Sequence, residues 1–152
     1  MEHPATAAIS IDRAELPSML ATLCSYECLL GPYHPQTLGL MAHVAIAHWQ
    51  AGENHRARIL LERAVRDLGR YLGRDHDLRL GALATLRDLL LDQRDYERAG
   101  AIQAEILDCQ IQRLGGDHPD TRATRERLVM MLMERVRCDS DRPAEPEHRG
   151  LF

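Results

Sequence analysis

The chain has 152 residues, 45% hydrophobic and 28% charged, with a formal net charge of −4, the composition of one globular domain or one short array with room for a core. No run reaches the roughly 18 apolar residues of a membrane span, and the start, MEHPATAAISIDRAEL, lacks the basic flank and long apolar stretch of a secretory leader. All 19 basic residues are arginine, mostly interleaved with acids, so no basic stripe suited to nucleic acid stands out.

Residues 1–12 are expected to be loose. A lone helix runs from about Arg13 to Leu29 and ends at the phrase LGPYHPQT, which starts at Leu30. The phrase returns as LGRDHDLR from Leu72 and LGGDHPDT from Leu114, so Leu, Gly and His repeat in register every 42 residues. A fixed period of this size marks a stacked repeat array. In each copy the glycine (Gly31, Gly73, Gly115) suits a helix end that needs a left-handed residue. The histidine (His34, His76, His118) is placed to cap the next helix. Pro35, Asp77 and Pro119 then suit a first helical turn.

Between the phrases the apolar spacing is helical. The first full unit, 35–72, carries Leu38, Met41, Val44, Ala45 and His48, a break at Ala51-Gly52-Glu53-Asn54, then Ala57, Leu60, Leu61, Ala64 and Leu68. Steps of three and four put these on one helix face. The second unit, 77–114, repeats this with Leu80, Leu83, Leu86 and Leu90, a turn at Gln93-Arg94-Asp95, and Ala99, Ile102, Ile106 and Cys109. A half unit, 119–137, holds one helix from about Asp120 to Arg137, and the leading half unit spans 13–30. From Cys138 the sequence is polar and contains proline, which predicts a flexible tail over 138–152. The fold class is all-α, about six helices with antiparallel neighbours. Alternating strand-like runs are absent. A helical bundle of other connectivity is the fold alternative. Met1 and the polar tail are read as the ends of a complete chain.

The units resemble the tetratricopeptide repeat in its 42-residue form, found in kinesin light chains and many bacterial proteins. Unit one carries the resemblance through His34, Pro35, Thr37, Met41, Val44, Ala45, Gly52, Ala57, Leu60, Arg63, Ala64, Leu72 and Gly73. Unit two carries it through His76, Leu83, Leu86, Asp95, Tyr96, Glu97, Ala99, Leu114 and Gly115, and unit three through His118, Pro119, Asp120, Thr121 and Leu128. The resemblance implies an α-α solenoid, a right-handed superhelix of helix pairs that acts as a scaffold for protein binding, with the first helix of each unit lining a concave face. It places a partner-binding groove on Ala42, His43, Ile46, Trp49, Gln50, Ala84, Asp88, Leu91, Asp92, Glu126, Met130, Met133 and Glu134. Trp49, Ile46, Leu91, Met130 and Met133 make that groove apolar, among the acids Asp88, Asp92, Glu126 and Glu134. The expected partner is a protein or peptide with an apolar anchor and at least one basic residue. The paired asparagines by which kinesin light chains clamp a ligand backbone have no counterpart, since Asn54 is the only asparagine. Arg87 and Arg94 replace a small Ala and a turn Gly, which predicts looser packing in unit two, with the Arg87 head kept wet.

Self-assembly is the alternative reading. The incomplete end units leave Leu16, Met19, Leu20, Leu23 and Tyr26 at one end, and Val129, Met131, Leu132 and Val136 at the other, for a homodimer to cover. The tail's Leu151-Phe152 is a further candidate to fill the groove. Enzyme and metal readings are weaker. The three phrase histidines are structural, His43 and His48 splay apart, and His48 is read as a packed side chain. Cys24 and Cys28 are read as buried, reduced thiols. Asp88 and Asp92 share a helix face but no base, nucleophile or phosphate loop accompanies them. No catalytic residue, metal or cofactor is predicted; a cytoplasmic, non-catalytic protein is.

Overall fold

A computed structural model describes residues 15–140. Among these residues there are six helices: α1 (Leu16–Leu29), α2 (Pro35–Gln50), α3 (Asn54–Tyr71), α4 (Asp77–Asp92), α5 (Tyr96–Leu114) and α6 (Pro119–Ser140). Each packs on the next, and α2 also touches α4, so the first helices of the two full units lie side by side. This is an all-α helical repeat solenoid. The expectations for residues 1–12 and for Leu151-Phe152 fall outside the described residues.

The repeated phrase works as the sequence suggests. Gly31, Gly73 and Gly115 have φ of +94°, +100° and +88°, a region that costs a side chain dearly and glycine little. Three residues on, the ring nitrogen Nδ1 of each histidine accepts a backbone N–H: Gln36 N at 3.3 Å for His34, Leu78 N at 3.2 Å for His76 and Asp120 N at 3.2 Å for His118. Each histidine thereby satisfies one of the orphan donors at a helix start. The periodic histidines are structural caps.

The helix pairs meet through small residues. Ala45, Ala57, Ala64 and Ala99 are fully buried, which lets the backbones approach. Leu38, Met41, Val44, Ala64 and Leu68 form one cluster with Leu23 of α1 and Ala82 of α4. Ala45, Ala57, Leu61, Leu86, Leu89, Leu90 and Ala99 form the next. The core is therefore a row of layers, each built from neighbouring helices. Truncating a sealed residue such as Leu61 to alanine costs about 2–5 kcal/mol.

Four expectations are corrected. Helix α6 continues to Ser140, so Cys138, Asp139 and Ser140 belong to a helix and not to a tail. Cys24 and Cys28 are exposed, as is Cys138; only Cys109 among the cysteines is buried. Cys24 and Cys28 lie on the outward face of α1. Met131 is buried, because it faces back toward the preceding unit rather than the open end. The Arg87 head is not wet. Its Nη1 donates to Gln103 Oε1 at 2.9 Å, and Nε and Nη2 reach Asp88 Oδ1 at 2.8 and 2.7 Å. Gln103 Nε2 then donates to the Thr124 carbonyl at 3.0 Å. The large side chain that replaces alanine thus anchors a buried polar chain across α4, α5 and α6. Burial is tolerable because the donors find partners.

Candidate partner-binding groove

The groove residues come from three helices. On α2, Ala42, Ile46 and Trp49 are half-buried while His43 and Gln50 are exposed. On α4, Ala84, Asp88 and Leu91 are half-buried and Asp92 is exposed. On α6, Glu126, Met130 and Met133 are exposed and Glu134 is half-buried. Helical spacing explains the pattern. The positions that follow each sealed core residue by one or two fall on the flank of the helix, neither in the core nor fully outside.

One polar contact ties unit one to unit two on this side. The Trp49 indole Nε1 donates to Asp92 Oδ2 at 3.0 Å. It fixes the ring against α4, where Trp49, Ala42 and Leu91 all pack onto the second core cluster. Indole N–H groups seek such partners when the ring is partly buried. The acids divide into two kinds. Asp88 is engaged by Arg87, and Glu134 accepts from Arg137 Nη1 at 3.0 Å. Asp92 holds only the uncharged indole, and Glu126 has no ion pair among the described residues. Of the four acids, Asp92 and Glu126 are thus the ones without a compensating charge among the described residues. The sequence pattern does not reveal that Arg87 neutralises Asp88, since i,i+1 side chains on a helix normally diverge.

Met133 also lines a second feature, an open apolar cleft shared with Val129, Leu132 and Val136. Val129, Leu132 and Val136 are three of the four trailing-end residues named above, and all three are exposed, unlike Met131. At the leading end Leu23 is buried and Leu20 is exposed, while Leu16, Met19 and Tyr26 are half-buried. Leu29 is the most open large apolar residue among those described.

His48 is buried and hydrogen-bonds Glu53 at 2.8 Å, a packed histidine at the α2–α3 turn. Arg56 reaches the same Glu53 oxygen at 3.0 Å. The hydrogen bond from His48, then that from Arg56, holds the Glu53 carboxyl below its ordinary value. Arg113 does the same for Asp77 through a 2.6 Å contact. Burial raises the Cys109 thiol above its usual range, with Asp75 adding to the effect. Each of these groups has a structural explanation. Among the described residues no group of three or more His, Cys, Asp or Glu side chains is arranged to hold a metal ion. No described helix is long and apolar enough to cross a membrane.

Comparison with known proteins agrees with this architecture. Residues 37–77, which cover α2 and α3, match the tetratricopeptide repeat family. The structure is similar to a crystal structure of nearly identical TPR-like repeats from Podosopora anserina. The TM-score is 0.66 at 18% identity, over 88% of this chain and 71% of that one. A glutamine-to-methionine variant of that protein gives a TM-score of 0.66 at 18% identity, over 88% and 70%. At such identity the likeness is one of fold. No curated protein matches the sequence.

Proposed function

This chain is a tetratricopeptide-type repeat protein, and on that premise we propose that it is a non-catalytic protein-interaction module. Its partner is a peptide or helix with an apolar anchor and at least one basic residue. The peptide lies along the side formed by α2, α4 and α6, with its anchor near Trp49 and Leu91 and its cation at Asp92. The observation that carries this reading is the Trp49–Asp92 hydrogen bond. It presents a fixed aromatic face beside an uncompensated carboxylate, and a rigid, partly buried aromatic is the usual anchor of an interface. A pre-set ring also loses little conformational entropy when a ligand arrives.

An array of synthetic dodecapeptides, each with one large apolar residue and one arginine at varied spacing, tests the reading. Binding peptides should lose about tenfold in affinity for the Asp92→Lys variant, the scale of one reversed rim charge at 1–2 kcal/mol. Asp92→Asn, which keeps an acceptor for the indole, should show a smaller loss. Equal affinity for all three proteins would remove Asp92 from the site and the proposed partner chemistry with it.

A further inference from the structure

The exposed end of α6 differs from the other first helices in one respect that the 42-residue register makes visible. In units one and two, the equivalents of Val129 are Ala45 and Arg87, 0% and 7% exposed, and those of Leu132 are His48 and Leu90, 5% and 2% exposed. The second helix of each unit seals them. In the third unit Val129 and Leu132 are 45% and 44% exposed, and Met133 and Val136 beside them are each 62% exposed. Val136 occupies the register position of Gly52 and Arg94, which take φ of +81° and +58° to turn the chain into the second helix. A β-branched residue resists that conformation. Accordingly α6 does not turn there: α2 and α4 end at Gln50 and Asp92, while α6 runs six residues past the equivalent Glu134, to Ser140. The unit is thus built with an apolar face and without the turn that would fold its own second helix onto it.

We propose that this face is covered by α6 of a second copy, packed antiparallel about a two-fold axis between Leu132 and Met133. Three observations favour that occupant. The stripe Val129, Leu132, Met133, Val136 has the i, i+3, i+4, i+7 spacing of a two-helix seam, and it is self-complementary, since the axis sets Val129 against Val136 of the other copy. The charges fit the antiparallel sense. Arg125 follows the same face toward the α6 N-terminus, and the two-fold places it opposite Ser140 in the last turn of the other α6, where the helix dipole favours cations. Arg125 donates only to the Gly116 carbonyl, at 3.2 Å. The lone helix α1, the other candidate to cover the face, offers this arginine little, as its one acid is Glu27.

The pairing also has a consequence for the proposed groove. Met133 sits in both, so the second copy forms the end wall of each groove while the Trp49–Asp92 region stays open.

Light scattering on the full chain between about 1 and 200 μM tests this without any peptide ligand. The expected result is a concentration-dependent dimer that Leu132→Glu converts to a monomer with unchanged far-ultraviolet circular dichroism, while Leu20→Glu on α1 leaves it dimeric. A wild type that is monomeric throughout, or a dimer that survives Leu132→Glu, would overturn the proposal. The sense of packing is read by spin labels on Cys138 in a Cys24→Ser, Cys28→Ser chain, Cys109 being buried. Antiparallel packing puts the two labelled Cα atoms about 20 Å apart, and parallel packing about 10 Å. The shorter distance would overturn the two-fold arrangement.

Discussion

Arg94 holds a backbone conformation that glycine adopts far more cheaply. Its φ of +58° sits at the turn where the preceding unit has Gly52 at +81°. For a residue with a Cβ that region costs about 1–2 kcal/mol. Arg94→Gly should therefore stabilise the protein by about 1 kcal/mol, less than the full strain because glycine also gains entropy in the unfolded chain; urea denaturation measures it. Gly69 is the opposite case. A Cβ there would lie 2.7 Å from Arg79 Nε. Arg79 is buried and holds Glu105 at 2.6 Å and the Arg74 carbonyl at 3.0 Å. Gly69→Ala must displace that guanidinium, and a loss of about 1–3 kcal/mol is expected in the same assay. The thiols give a third residue-scale check. An aromatic disulfide reagent at pH 8 should react quickly with Cys24, Cys28 and Cys138 and slowly with Cys109, whose thiol is both buried and raised. The departure of Arg94 from the glycine pattern was legible in the sequence. The Arg79–Gly69 contact was not, because it joins helices whose register against each other no local pattern specifies.

At the scale of the element, the turn between α2 and α3 is held by charge. Glu53 accepts from His48 and Arg56, and its carboxyl is depressed below the ordinary 4.5. A depressed carboxyl contributes stability above its unfolded-state value and loses it as pH falls through the folded one. The stability difference between wild type and Glu53→Gln should therefore be full at pH 6 and shrink steadily below about pH 4.5. Thermal melts across that range check it, and a difference that grows on acidification would contradict the assignment. Most helix boundaries were legible here, because Gly and His recur with a stated job at each of the three junctions between units. The end of α6 was not, since polar residues from Cys138 onward read equally well as tail or as exposed helix. The cue that could have found it is Val136 in the turn register.

On the scale of the whole molecule, layers built from neighbouring helices make the array quasi-one-dimensional, so stability is shared between adjacent units more than across the chain. The solenoid itself was the most legible feature. Three in-register phrases specify the helix pairs, and the sealed alanines at pair contacts complete them. The groove was legible only as a set of positions. That Asp88 is spent on Arg87, and that Trp49 is fixed by Asp92, needed the side chains. The central claim is that a partner lies along α2, α4 and α6. The most direct test is two-dimensional NMR of the 17.2 kDa chain titrated with the tightest peptide from the array. The account predicts that shifts cluster at the Trp49 indole N–H and at Ile46, Ala84, Leu91 and Met130. A cluster on the opposite helices α3 and α5, with the Trp49 indole unmoved, would contradict it.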